Sequence, residues 1–356
     1  MKNKITLVLT ILGIYANCYV HAQINGKLYG QKEDFIAMAK RPLLVELLEE
    51  DPEIIKNLSY TALKKKAIRD SLVQEYKTFI FNYNKMIKSS VEKYWKYNEK
   101  VEYKTASEVN KLKESKNNKY VVLSYILQQQ SMLTSMINNS FINHLEIPAI
   151  SYNRIEQPDK KTDYKICMPS SGILKYRLLD YRECDFKFAL IEMQSHLKWM
   201  IQNNKTVEFQ EYAEIIAKEN CSKLKNMKLQ VETDFLRKNG EQKAEAKEDY
   251  GHDLEFVTAG QLDSSYIGNK KGVAVLLRIP FEIMNPTSAS GNMGNMNAGG
   301  VRDSNQKTQF YKIVVDCESN KILWADVSGG FSLKKAFIVP DEFVKKSDFK
   351  NMGQCK

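Results

Sequence analysis

The sequence predicts an α/β protein. It consists of two similar strand–helix–strand–helix–strand units, each a mixed sheet packed with helices, and the second is closed by a β-hairpin. Three observations carry this expectation. Short β-rich runs alternate with segments of helical period, the pattern of parallel strands joined by right-handed crossovers. Residues 101–123 can be laid on 254–276 without a gap, at an offset of 153. The second half ends in two β-rich runs, 310–316 and 321–326, joined by the polar turn Cys317-Glu318-Ser319-Asn320, which is a hairpin signature.

The elements follow in order. Residues 23–41 are polar and read as a loose lead-in. The first unit is expected over 42–168. Its opening run Leu43–Leu48 lies between Pro42 and Pro52, which favours a strand. A long helix follows over 61–97, with Ile68, Leu72, Tyr76, Phe79, Tyr83, Ile87, Val91 and Tyr94 at steps of three or four. That spacing makes one continuous apolar face, read as core. Val101–Thr105 alternates as a half-buried strand, 107–113 is a short helix, and Lys119–Tyr125 is rich in β-branched and aromatic residues. A helix over 128–143, a loop over 151–163 and a strand over 164–168 complete the unit, and a turn at 170–172 follows it. Residues 169–226 form a helical connector with helices over 184–201 and 207–224. The second unit, 227–330, repeats the order: strand 228–235, helix 241–249, strand 254–258, short helix 261–266, strand 272–281, then the hairpin. The polar, Gly- and Asn-rich stretch 285–305 reads as a mobile loop within it. Residues 331–356 form a tail of no assigned structure.

The duplication rests on matched residues. Val101-Glu102-Tyr103-Lys104-Thr105-Ala106 meets Leu254-Glu255-Phe256-Val257-Thr258-Ala259, and Val122-Leu123 meets Val275-Leu276. In each half a Thr-Ala pair sits where a strand hands over to a helix, so Thr105 or Ser107, and Thr258, are candidate N-caps.

Residues 1–22 have the three parts of a cleavable export signal: a basic start (Lys2, Lys4), the apolar run Ile5–Ala16 and the small-residue site Val20-His21-Ala22. Cleavage is expected between Ala22 and Gln23. The apolar run is shorter than the about 20 residues that span a bilayer. Cys18 as a lipid attachment point is the alternative, with Asn17 a poor neighbour for it. The mature chain is expected to have no transmembrane segment and to reside in the periplasm, or alternatively at the cell surface or outer membrane.

The formal charge is +10, spread along the chain. It reads as solvated surface or as affinity for anionic lipid or polysaccharide. Export and the absence of a nucleic-acid motif argue against nucleic acid as a partner. Cys167, Cys184, Cys221, Cys317 and Cys355 follow the cleavage site. An oxidising compartment permits disulfides, and Cys167 with Cys184 is the expected pair, their segments folding back on each other. No CxxC occurs, so a thioredoxin-type site and a zinc ribbon lack their basic unit.

The stretch LEFVTAGQL…GVAVLLRI…FYKIVVDCESNKILWADV, residues 254–327, resembles the amino-terminal domain of TolB and the related core of curli-secretion proteins. The resemblance is carried by the strand–helix–strand–hairpin order and by Asp316, Ser319, Asn320 and Lys321 in the turn. It implies an envelope docking or assembly module and no catalysis. The Gly/Asn-rich insert and the missing lipobox depart from the curli type.

The search for chemistry finds little. His144, His196 and His252 make no metal-spaced motif, so no metal and no cofactor are expected. Ser90 and Lys93 fit SxxK without its partner motifs. Asp180, Glu183 and Asp185 cluster without a sign of a cleft. The leading expectation is a non-catalytic envelope binding or assembly module whose partner is an envelope protein or polysaccharide. The alternatives are a secreted hydrolase with a site assembled from loops, and a structural protein of the surface matrix.

Overall fold

The computed structural model describes residues 32–53, 55–56, 66–114, 119–126, 144–148, 163–167, 182–207, 209–236, 241–284, 307–326 and 343–355. The signal segment with Ala22 and Gln23, the expected helix 128–143, the turn 170–172 and the Gly/Asn-rich stretch 285–305 lie outside them.

The chain is α/β, with two five-stranded sheets. The first contains β1 (Leu43–Leu47), β2 (Val101–Thr105), β3 (Val121–Ile126), β4 (His144–Pro148) and β5 (Asp163–Cys167), ordered β2-β1-β3-β4-β5. The second contains β6 (Lys228–Glu232), β7 (Leu254–Val257), β8 (Val273–Met284), β9 (Lys307–Asp316) and β10 (Ile322–Asp326), ordered β7-β6-β8-β9-β10. In each, the first three strands pair in parallel and the last two antiparallel. The sequence reading placed no strand at 144–148. The structure adds β4 there, so the first sheet also ends in an antiparallel pair.

The registers agree residue by residue. Leu43 faces Val101 on one side and Val121 on the other. Leu229 faces Leu254 and Ala274. Both neighbours of Leu229 therefore lie 153 positions beyond the neighbours of Leu43. The central strands read Leu43-Leu44-Val45-Glu46 and Leu229-Gln230-Val231-Glu232.

Helices fill the crossovers. In the first unit α1 (Lys32–Lys40) precedes β1, α2 (Lys66–Tyr94) joins β1 to β2, and α3 (Ala106–Glu114) joins β2 to β3. Between the units lie α4 (Glu183–Asn203), α5 (Phe209–Asn220) and a 3-10 turn, Cys221–Asn226. In the second unit α6 (Glu241–Tyr250) and α7 (Ala259–Ile267) fill the crossovers, and α8 (Lys346–Gln354) follows the hairpin. The stretch read as a loose lead-in thus contains α1. Phe35 and Met38, one turn apart, bury into the core and hold it there.

The helices α3 and α7 are capped alike. Thr105 Oγ1 accepts from Glu108 N–H at 3.4 Å, while Glu108 Oε2 accepts from Thr105 N–H at 2.9 Å. Thr258 and Gln261 repeat this at 3.4 and 2.9 Å. Each such box satisfies two otherwise orphaned donors. Val109 and Leu262, at equivalent positions, are both fully buried.

The expected connector is the centre of the molecule. Helix α4 buries Cys184, Phe186, Phe188, Leu190, Met193, Leu197 and Met200 in one cluster. That cluster receives Leu43, Val45, Val121 and Leu123 from the first sheet, and Val273, Val275, Leu277, Ile313 and Val315 from the second. A helix buried along most of its length is core. Each large apolar side chain enclosed there contributes about 1.5–3 kcal/mol. The opposite face of the second sheet, with Leu229, Val231, Ala274 and Leu276, packs on Tyr250 of α6 and on Phe349 and Met352 of α8.

The faces used by the two units are instructive. Leu43, Val45, Val121 and Leu123 point at α4; their register equivalents Leu229, Val231, Ala274 and Leu276 point at α8. The two helices also begin alike. In each, a basic N-cap (Arg182, Lys345) donates its backbone N–H to an Asp at the third helical position (Asp185 at 3.0 Å, Asp348 at 2.9 Å). A buried Phe and a Lys follow in both: Phe186-Lys187 and Phe349-Lys350. They differ on the far side. Ser347, Lys350 and Asn351 of α8 are exposed, whereas Cys184, Lys187 and Phe188 of α4 are enclosed by the second unit.

A disulfide joins Cys221 to Cys355 across 134 residues. It ties the end of α8 to the 3-10 turn. The expected Cys167–Cys184 bridge is not formed, because Cys184 is a buried free thiol. It sits in the first turn of α4 and faces the core between the units, while Cys167 lies on edge strand β5. Among the described residues no helix is long and apolar enough to cross a membrane.

Candidate functional site

In parallel α/β sheets ligands bind beyond the carboxyl ends of the strands, where the strand order reverses. In the second sheet that place is the end of β6, between β7 and β8. Its charged groups are turned inward. Arg182, at the N-cap of α4, places Nη1 3.3 Å from Glu232 Oε2 and 3.4 Å from Asp263 Oδ1. The side chains are only 14%, 6% and 18% exposed, which encloses the triad. Asp185 lies behind it. Its carboxylate receives the Arg182 amide and, at 3.6 Å, the Cys184 thiol.

Burial sets the titration of these groups. It pushes Asp185 up to about 7 against the opposing pull of Arg182. It raises Glu232 against Arg182 and Arg278, and it holds the Cys184 thiol protonated, well above its ordinary range. Arg278 of β8 is buried and lies over the Phe235 ring at 3.8 Å. The first unit closes the same end by a helix cap: Glu49 Oε2 accepts from Ser107 N–H and Oγ, both at 2.6 Å. These contacts tie the named groups to one another and to helix ends.

The core between the sheets holds further polar groups. Lys187 Nζ donates to Tyr266 O and, at 2.8 Å, to Asn269 Oδ1, so it caps the carboxyl end of α7. Burial lowers Lys187 to about 8. Glu192 is 1% exposed, and its Oε2 finds no hydrogen-bond partner among the described residues. Cys317 is a second buried free thiol.

The opposite end of the second sheet is open. A cavity of about 440 Å³ lies at the amino ends of β6 and β8, lined by Lys225, Lys228, Asp253, Lys270, Lys271 and Gly272 among others. Three loops build it: the 3-10 turn before β6, the turn before β7, and the turn between α7 and β8. Gly272 has φ +67°, which allows the last turn to reverse tightly into β8. Lys228 is shared between Asp253 at 4.0 Å and Glu255 at 3.9 Å, and Lys271 lies 3.6 Å from Glu318. Lys225 and Lys270 are exposed and have no carboxylate within ion-pair distance among the described residues. The matching end of the first unit is also basic: Lys40 and Arg41 precede β1, Lys100 precedes β2 and Lys119 precedes β3.

The residues singled out in the sequence do not converge. Ser90 is buried in α2, while Lys93 is engaged by Glu183 at 2.8 Å, so they do not form a serine–lysine pair. His196 is fully buried and stacks on Tyr212 at 4.5 Å, and burial lowers it to about 3. His252 Nε2 lies 3.3 Å from Gly353 O. His144 lies on β4, and Asp180 lies outside the described residues. Among the described residues no group of His, Cys, Asp and Glu has metal-binding geometry. Arg182 and the lysine pocket were missed. The signal for the pocket was the recurrence of Lys just ahead of successive strands.

No family model, no curated protein and no solved structure matches this chain.

Proposed function

We propose that this chain is an exported, non-catalytic binding or assembly module of the bacterial envelope, built from two copies of one α/β unit. The observation that carries the non-catalytic reading is the fate of the charged groups at the strand carboxyl ends. Glu232 and Asp263 of the second unit are bound by Arg182 at the start of α4, and Glu49 of the first unit is bound to the start of α3. A hydrolase needs a reachable, activated nucleophile. Cys184 and Cys317 are buried, and burial raises both thiols, Cys317 to about 12.

Duplication is supported by the shared strand order, the common 153-residue offset in register, the paired Thr caps and the matched openings of α4 and α8. Export is supported by the Cys221–Cys355 bridge, which suits an oxidising compartment. The TolB-like pattern over 254–327 agrees with a docking role.

The test is cross-linking in intact cells followed by capture of a tagged full-length chain. A reproducible envelope partner, retained after stringent washing, is the expected result. Recovery of the chain alone across repeats, or turnover of a generic ester, peptide or glycoside substrate by the purified chain, contradicts the proposal.

A further inference from the structure

We infer that the lysine-lined cavity at the amino ends of β6 and β8 binds a polyanionic glycan, a sugar chain bearing carboxylate or phosphate groups. The inference rests on the binding-module reading and assigns its ligand class.

The charge of the cavity exceeds what the fold needs. Lys225, Lys228, Lys270 and Lys271 line it; Lys228 is shared by Asp253 and Glu255 and Lys271 lies beside Glu318, which leaves the two charges of Lys225 and Lys270 without a carboxylate among the described residues. Lysines after a helix offset the partial negative charge of its carboxyl end, about half an elementary charge per helix. Two helical segments end here, the 3-10 turn at Asn226 and α7 at Ile267. They account for about one of the positive charges. The remainder faces solvent from a concave surface, which raises the local concentration of anions.

The lining selects among anions. All the cations are ammonium groups, which act as point charges on flexible stems and lack the planar fork that grips one phosphate bidentately. Protein interfaces centre on aromatic and apolar anchors. Here the apolar contributions are Met227, half-buried, and Val273, buried. A flat bilayer surface does not enter a concavity, whereas a hydrated chain does.

The experiment is calorimetric titration of the full chain with a defined oligogalacturonate. Neutral dextran oligomers, inorganic phosphate and phosphatidylglycerol vesicles serve as parallel probes. Binding of the oligogalacturonate that weakens as salt rises, with no binding of dextran, is expected. The double change Lys225→Glu and Lys270→Glu is expected to weaken it by about 30-fold or more, from about fivefold for each ammonium near an anionic surface. The same double change at Lys85 and Lys198, exposed on α2 and α4, carries an equal change of net charge and is expected to leave affinity within about threefold. Equal losses in the two variants mean a general charge effect and overturn the inference. So does tighter binding of vesicles or free phosphate than of the oligosaccharide. Cross-linked capture of a protein partner by the Lys225→Glu, Lys270→Glu chain separates the two failures. If capture persists while the glycan does not bind, only the ligand assignment falls.

Discussion

Glu192 offers a test of the core between the units. It sits on α4, 1% exposed, with Oε2 unbonded among the described residues. Burial pushes its carboxyl from the ordinary 4.5 up to about 8. Between those values the folded chain holds a proton that the unfolded chain has released. Unfolding therefore sheds a proton, and stability falls as pH rises, by about 1.4 kcal/mol per pH unit. The contribution is fully present below about pH 4.5 and lost above about pH 8. Glu192→Gln keeps the shape and removes the titration. The assay is urea unfolding followed by tryptophan fluorescence, since Trp95 and Trp324 are buried reporters. The difference in stability between Glu192→Gln and the parent chain is expected to grow in favour of the variant by about 4 kcal/mol from pH 5 to pH 8. Other titrating groups are common to both chains and cancel. A difference that does not change with pH refutes the placement of Glu192 in a dry core.

Three further outcomes follow from named contacts. Arg182→Leu leaves Glu232 and Asp263 enclosed without their cation, and thermal unfolding should show a loss of about 3–5 kcal/mol; a loss near zero means the triad is solvated. Cys355→Ser opens a loop closed across 134 residues, and a loss of about 3–5 kcal/mol is expected. Reductant should lower the parent to the level of that variant, and equal stability under oxidising conditions contradicts the bridge. Gly353→Ala drives a Cβ into the backbone carbonyl of Tyr250, so α8 must lift from α6 at a cost of about 1–3 kcal/mol; faster amide exchange in α8 reports it, and unchanged exchange contradicts the contact.

Much of the scaffold was legible because local chemistry and global fold agree. The recurrence of Tyr76, Tyr83, Ile87 and Val91 at steps of seven and four marks the face of α2 that is buried. Thr258 followed by Gln261 writes the start of α7 into four residues. Asp316 fixes the hairpin turn by accepting from Glu318 N–H at 3.0 Å and from the Ser319 hydroxyl, with Asn320 at φ 56° completing the reversal. What stayed hidden depends on distant partners. The alternation of His144, Leu145, Glu146 and Ile147 is only four residues long and ends at Pro148; pairing with β3 and β5 is what makes the segment a strand. The likeness of α4 and α8 rests on Asp-Phe-Lys in each, too short a match to notice before both are seen on equivalent faces. The Cys221–Cys355 pair has no spacing signature, and its thiols meet only because α8 docks. The lysine pocket draws on three loops, of which no two are adjacent in sequence.

The outer sides of α4 and α8 differ. Helix α4 is enclosed by residues of both sheets. Helix α8 occupies the equivalent place on the second unit, but Ser347, Lys350 and Asn351 make its far side polar. A polar outer face is what closes a repeat array.

The use of one α/β unit twice is tested most directly by an experimental structure of the full chain. Backbone atoms of 43–46, 101–114 and 121–126 would be superposed on 229–232, 254–267 and 274–279. The expected result is superposition strand for strand, with Leu43 between Val101 and Val121 as Leu229 lies between Leu254 and Ala274. A different strand order, or a shift of one residue in either central strand, would contradict it, because such a slip turns every side chain of the strand to the other face.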